Sequence, residues 1–293
     1  MVVSHRSLVH YIDWACVAYS GGSAEPVHFA LLTSLAFDLT LTSLFVPLLC
    51  GGQVIVYDHP SLLLALQACL LERQANWLKL TPSHLRLMQQ LALPLDHLNC
   101  LIVGGEDFPT GLANEIDRLS DGMTRIYNEY GPTEATVGCM IHRYDPLRDH
   151  YSSVPIGRPA ANTRLYLLDE MHRPVSTGEI GEIFIGGEGL ALGYHGLNEL
   201  TAQCFRSIPA ISGERLYQTG DLAIISPPTG IVHVNLWDKR VFESDTIVAR
   251  CWKDEFVIVL QREDDSDYVE VLTDIGVRGW TYLDNLRDAN ETG

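Results

Sequence analysis

The chain has 293 residues, 46% of them hydrophobic, with a mean hydropathy of +0.06, a formal net charge of −17 and a pI near 4.9. That length holds one large domain or two smaller ones, and that apolar share excludes wholesale disorder. The acidic balance argues against nucleic acid as the main partner, because phosphate backbones are bound by basic faces.

The opening residues Met1-Val2-Val3-Ser4-His5 lack the basic and then apolar stretches of a secretion signal. The longest apolar run, near 61–71, is too short to span a bilayer. Seven cysteines stand singly, without a Cys-x-x-Cys pair, so zinc and redox motifs have no support and a reducing, cytoplasmic setting is expected. From residue 1 to about 150, helical and strand patterns alternate, which predicts α/β construction. Residues 7–14 carry helical spacing of apolar groups, and 41–49 reads as a buried helix ended by Gly51-Gly52 before a strand at 53–57. Helices are predicted at 62–73 and 83–91, the second capped by Thr81 or Ser83, and a strand over 98–103 runs into Gly104-Gly105.

From 156 to 222, short alternating segments such as 164–168 and 182–185 are broken by glycines, which predicts antiparallel sheet or a small barrel. Pro227-Pro228-Thr229-Gly230 is the best boundary. The expected divisions are therefore 1–228, an α/β part to about 150 with a β-rich part at 151–228; 229–287, a small all-β barrel; and a frayed tail at 288–293. Strands are predicted in the last quarter at 231–237, 246–251, 255–260, 268–272 and 280–283, with an acidic turn at 263–267.

The chemistry concentrates in Asn128-Glu129-Tyr130-Gly131-Pro132-Thr133-Glu134. Gly131 and Pro132 shape a turn whose backbone N–H groups can meet phosphate oxygens; Thr133 adds a hydroxyl, and Glu134 adds a hard oxygen ligand suited to Mg²⁺ beside phosphates. Taken alone, the stretch is equally a Gly-Pro turn ending in a solvated glutamate. It is accompanied by Tyr217-Gln218-Thr219-Gly220-Asp221, by Gly104-Gly105-Glu106, by Gly181-Glu182 with Gly189 and Gly193-Tyr194, and by Phe37-Asp38. In order and spacing these clusters resemble the adenylate-forming, AMP-binding superfamily, and within it the amino-acid adenylation domains of nonribosomal peptide synthetases. The resemblance covers residues 1 to about 228.

That resemblance implies the fold, a partial α/β adenylation core with a β-barrel-like part, and the ligands ATP, Mg²⁺ and an amino acid. It implies that Tyr130 packs on adenine, with Gly104, Gly105, Glu106, Asn128 and Gly131 around the nucleotide. Thr133 and Glu134 serve the reaction, one on phosphate and one on the metal, and Asp221 takes both ribose hydroxyls. Asp38 receives the substrate ammonium. The family's substrate-lining positions map to Asp38, Leu39, Thr42, Lys79, Ile102, Gly104, Glu129, Val137 and Gly138, a set similar to an asparagine-type pocket. An amide offers one acceptor oxygen and one donor NH₂. Lys79 can donate to the oxygen and Glu129 can accept from the nitrogen, whereas aspartate would set its carboxylate against Glu129. The ordinary alternative is that Lys79 and Glu129 are solvated surface charges. The implied product is aminoacyl-AMP, loaded as a thioester on the phosphopantetheine of a partner carrier protein.

The sequence also departs from the family pattern. The family's phosphate loop, ending in Pro-Lys-Gly, belongs just before Ser4-His5, where Met1 stands. The hinge signature Gly-Arg-x-Asp is represented by Asn235-Leu236-Trp237-Asp238, and neither Lys239 nor Lys253 lies in the context of the family's C-terminal catalytic lysine. One positioned donor is worth ~10²–10³-fold in rate, so the chain alone is expected to be poorly active. Residues 231–286 instead resemble a bacterial Src-homology-3-like barrel, whose Trp237, Trp252, Trp280 and Tyr282 form either a binding face or the barrel's own core. Two other readings stay open: a non-catalytic scaffold that recruits a partner through this barrel, and a fragment that assembles with a complementing synthetase chain.

Overall fold

In this computed structural model, the described residues are 1–20, 25–91, 93–209, 211, 213–226 and 232–235, with the backbone of three later strands. The boundary at 227–230, the hinge residues 236–238, Lys239, Lys253, Trp252, the strand expected at 246–251 and the acidic turn at 263–267 lie outside them. The chain divides into two compact units, Met1–Trp237 and Asp238–Gly293.

The first unit opens with α1 (His5–Ser20) and then alternates strand and helix: β1 (His28–Leu31), α2 (Thr40–Leu49), β2 (Gln53–Val56), α3 (Leu62–Glu72), β3 (Trp77–Leu80), α4 (Pro82–Leu91), β4 (Cys100–Gly104), α5 (Thr110–Leu119) and β5 (Arg125–Tyr130). β1 to β5 are parallel; β6 (Met140–Arg143) and β7 (Arg158–Pro159) add antiparallel, giving the sheet order β2-β1-β3-β4-β5-β6-β7. Successive strand side chains point to opposite faces, and the two faces of this sheet bury different helices. Leu78, Leu80, Leu101, Val103 and Ile126 pack with Leu66, Leu85, Leu112 and Ile116 of α3, α4 and α5. Trp77, Cys100, Ile102 and Tyr127 pack with Tyr11, Ile12, Ala15 and Tyr19 of α1 and with Val46 of α2.

Local signals set the helix ends. Ser61, in extended conformation, accepts from the Leu64 N–H at 3.4 Å and starts α3. Of the two cap candidates for α4, Thr81 accepts from the His84 N–H, whereas the Ser83 N–H goes to Glu106. α2 is buried along one stripe only: Val46 is 0% exposed, but Leu48 and Leu49 are 59% and 64% exposed. Residues 44–49 are an uninterrupted apolar run, which carries no period that could separate the two faces.

The β-rich part is an antiparallel sheet of β8 (Thr163–Leu168), β9 (Ile180–Gly187), β10 (Phe205–Ser207), β11 (Arg215–Ile225) and β12 (Val232–Asn235), with α6 (Asn198–Cys204) before β10. β12 pairs with β11 from Leu222↔Asn235 to Ile225↔Val232, so its hydrogen bonds belong to this sheet. In the second unit, β13 (Val257–Arg262), β14 (Tyr268–Thr273) and β15 (Arg278–Tyr282) form an antiparallel three-stranded sheet. Among the described residues, no helix is long and apolar enough to cross a membrane.

Leu101 sits at the centre of the larger sheet and is 0% exposed, whereas Leu147 is 83% exposed. Leu101→Ala is expected to cost about 2–5 kcal/mol, and Leu147→Ala no more than about 0.5 kcal/mol, as read from urea denaturation midpoints.

Candidate functional site

β4 and β5 end side by side, with Gly104 in register with Glu129. A Cβ on Gly104 would fall 2.6 Å from the Glu129 carbonyl oxygen, so the close strand ends require glycine there. Just past these ends lies a cleft of about 200 Å³. Gly105 and Glu106 line it from β4, residues 128–132 from β5, Val154 and Ile156 from the following segment, and Asp221 from β11. Residues separated by more than a hundred positions in sequence thus meet at one end of the sheet, outside the carboxyl ends of parallel strands, where ligands of open α/β sheets bind.

Asp221 reaches the cleft because β11 breaks its pairing with β9 between Gln218 and Leu222. Glu182, 7% exposed, holds that irregularity: it accepts from Gln218 Nε2 and from the Gly220 N–H at 3.0 Å. The Asp221 N–H then bonds Thr219 Oγ1 at 2.9 Å, and Tyr130 donates its hydroxyl to Asp221 Oδ2 at 2.5 Å. Burial, reinforced by the Asp221 charge, pushes the Tyr130 phenol well above its ordinary range, so Tyr130 stays a donor. Asn128 fixes the opposite wall by donating Nδ2 to the Val154 and Pro155 carbonyls at 2.8 and 3.0 Å. Glu106 is exposed and accepts from the Ser83 N–H at 3.0 Å and the Ser83 hydroxyl at 2.5 Å, tying the cleft rim to the start of α4.

Thr133 and Glu134 do not line this cleft. They occupy a short 3₁₀ turn, Thr133–Ala135, in which Thr133 is exposed. The Tyr194 hydroxyl donates to Glu134 Oε1 at 2.6 Å, and the Ala191 N–H bonds the Glu134 carbonyl at 2.8 Å. Burial and then the bond to Glu134 push the Tyr194 phenol up. Tyr194 enters the resemblance only as a signature position beside Gly193.

A second group of predicted residues meets on the α1/α2 face of the sheet. Lys79 is in register with Ile102 on the neighbouring strand, and Glu129 lies two residues beyond Tyr127, the partner of Ile102. By strand alternation, Lys79, Ile102 and Glu129 face the same way. The Lys79 and Glu129 side chains are 1% and 2% exposed and form an ion pair, which removes the solvated-charge alternative. Lys79 Nζ also donates to Thr42 Oγ1 at 2.8 Å and to the Tyr11 hydroxyl at 3.2 Å, while Tyr11 and Tyr19 both donate to Glu129 Oε2. A Cβ on Gly138 would lie 2.6 Å from Glu129 Oε1, so glycine there is what lets Glu129 lie across the backbone. Val137, 6% exposed, precedes it at φ 68.

Asp38 and Leu39 lead into α2, and both are half-buried. Asp38 Oδ2 is buried and makes no hydrogen bond, an orphan acceptor of the kind that a ligand cation satisfies. Its charge acts on Tyr11, and Leu39 Cδ1 lies 3.9 Å from where a Cβ on Gly105 would be. Asp38 and Glu134 are not among the residues lining the 200 Å³ cleft, which Asp221 does line. Glu129 does line it, and joins the cleft to the ion-pair cluster. Tyr11 and Tyr19 were not picked out from sequence. Their signal was position: both lie on the stripe of α1 that carries Ile12 and Ala15, and a buried phenol needs a partner.

Comparison with known proteins follows the same outline. A family profile described as AMP-binding enzyme matches residues 1–195. Bacitracin synthase 3 of Bacillus licheniformis is 45% identical over 246 residues, covering 82% of this chain and 4% of the synthase. Tyrocidine synthase 3 of Brevibacillus parabrevis is 42% identical over 241 residues, covering 82% of this chain and 4% of that synthase. This chain therefore spans a small fraction of the length of these relatives. Among solved structures, the AMPPNP-bound nonribosomal peptide synthetase FmoA3 superposes with a TM-score of 0.73 at 28% identity, over 82% of this chain and 26% of that one. The four-domain nonribosomal peptide synthetase holo-AB3403, bound to AMP and glycine, gives 0.71 at 26% identity over 92% of this chain and 21% of that one.

Removing one member of the buried pair leaves an uncompensated charge. Lys79→Met is expected to destabilise the chain by about 3–5 kcal/mol, and adding Glu129→Gln to it is expected to recover most of that loss. Denaturant midpoints of the single and double variants check both outcomes.

Proposed function

Because the chain belongs to the AMP-binding enzyme family, we propose that it carries out amino-acid adenylation of the nonribosomal-synthetase kind. The substrate carboxylate attacks the α-phosphorus of ATP, the bond to the bridging oxygen breaks, and pyrophosphate leaves. The phosphopantetheine thiol of a carrier protein then attacks the acyl carbon, the acyl–phosphate bond breaks, and AMP and the thiol proton leave. The observation that carries this reading is the cleft at the ends of β4 and β5, which gathers Gly105, Tyr130 and Asp221.

In this reading the purine lies between Gly105 and Tyr130. The ribose hydroxyls take over the Asp221 carboxylate, to which Tyr130 now donates. Glu134 would hold Mg²⁺ together with phosphate oxygens and water, the usual way in which this ion is bound beside phosphates, and the ion would neutralise their charge. The exposed Thr133 hydroxyl is free to meet a phosphate. Asp38 Oδ2 takes the substrate ammonium, a role supported by its buried, unpaired state.

For the substrate we favour asparagine. The support is the buried Lys79–Glu129 pair, whose Glu129 carboxylate can accept from a side-chain amide N–H and would repel a second carboxylate. A cytoplasmic setting would supply the ATP. The antiparallel pairing of β13, β14 and β15 supports reading the tail as a Src-homology-3-like interaction module.

Ligands that bind only the folded chain raise its melting temperature, by the equivalent of about 2.7 kcal/mol at a hundred times Kd. ATP with Mg²⁺ is expected to raise Tm, and asparagine to raise it further. Asp221→Ala is expected to abolish the nucleotide shift, and Asp38→Ala to abolish the asparagine increment while keeping the nucleotide shift. A nucleotide shift untouched by Asp221→Ala would overturn the placement of the nucleotide.

A further inference from the structure

The cluster around Glu129 can be counted proton by proton. Lys79 Nζ has three N–H donors and three acceptors in reach: Glu129 Oε1, Thr42 Oγ1 at 2.8 Å and the Tyr11 oxygen at 3.2 Å. The Tyr11 oxygen also lies 2.5 Å from Thr42 Oγ1 and 3.1 Å from Glu129 Oε2. A phenol has one proton. If Tyr11 gave it to Thr42, the contact between Tyr11 and Glu129 Oε2 would hold two oxygens and no hydrogen. The arrangement that leaves no bare contact has Thr42 donating to Tyr11, and Tyr11 and Tyr19 donating to Glu129 Oε2. Burial and the Glu129 charge both hold the Tyr11 phenol protonated, as this assignment requires.

Every donor in the cluster is then spent, while Glu129 Oε1 and Thr42 Oγ1 each keep an unused lone pair. A cluster of this kind offers acceptors only. It takes a side chain that brings N–H groups, and it refuses a carboxylate, which would find no donor and would face Glu129.

We propose that Tyr11 is a specificity-positioning residue, which occupies the third Lys79 proton and thereby turns the Lys79–Glu129 pair into an acceptor-only reader of the substrate side chain. This deepens, and rests on, the asparagine reading above. Tyr19 is the natural comparison. It also donates to Glu129 Oε2, but it makes no bond to Lys79, so its loss frees no lysine proton. A merely structural role for Tyr11 would make the two variants behave alike.

The test is the ratio of asparagine to aspartate affinity, measured by calorimetry on the full chain with ATP and Mg²⁺, for wild type, Tyr11→Phe and Tyr19→Phe. Wild type is expected to favour asparagine. Tyr11→Phe is expected to narrow that preference about 10-fold, mainly through tighter aspartate, the worth of one charge-assisted hydrogen bond. Tyr19→Phe is expected to narrow it less than about 3-fold. Thr42→Val, which frees a different Lys79 proton, is expected to follow Tyr11→Phe and decides the matter if Tyr11→Phe does not fold. Equal ratios in the Tyr11 and Tyr19 variants would overturn the role given to Tyr11 and leave the asparagine reading standing. A wild-type chain that binds asparagine no better than aspartate would overturn both.

Discussion

The ion pair between Lys79 and Glu129 constrains everything around it. Two charges held at 1% and 2% side-chain exposure have each lost several kcal/mol of hydration, which their mutual attraction and the added hydrogen bonds from Tyr11, Tyr19 and Thr42 must offset. Strand alternation brings them to one face, because Lys79 shares the parity of Trp77 and Glu129 that of Tyr127. α1 then contributes Tyr11 and Tyr19, and α2 contributes Thr42. Gly138 gives up its side chain so that Glu129 can lie flat. A stretch of sheet of the kind that is usually continuously apolar when buried and parallel thus carries a buried polar cluster.

The same strand that supplies Glu129 also supplies the cleft. β5 ends at Tyr130, and its last residues face the ion pair on one side and the open edge on the other. The second sheet completes the cleft through an irregularity in β11, where Glu182 replaces missing ladder bonds at Gly220 and so turns Asp221 toward Tyr130. The cleft and the buried ion-pair cluster therefore share one strand, with Glu129 in both.

Much of this was legible in the letters. The α/β alternation, the glycine-broken antiparallel part and the cluster from Asn128 to Glu134 are local signals, and local signals survive without knowledge of the fold. The burial of Lys79 follows from no local signal: its type argues for solvent, and only the resemblance, which maps it to a substrate-lining position, argues otherwise. Tyr11 and Tyr19 were hidden for the opposite reason. Their spacing on α1 read as ordinary apolar periodicity, and a phenol's hydrogen-bond partner lies far away in sequence, at Glu129. The exposed Leu48 and Leu49 were misjudged because a run of apolar residues has no phase. The pairing of β12 with β11 is a non-local choice, made by hydrogen bonds that composition cannot report.

The most direct measurement is a crystal structure of the chain with a non-hydrolysable asparaginyl-adenylate analogue. The account predicts the purine between Gly105 and Tyr130, the ribose on Asp221, the ammonium on Asp38 and the side-chain amide nitrogen on Glu129 Oε1. A purine bound away from the ends of β4 and β5, or an amide turned from Glu129 toward solvent, would contradict it.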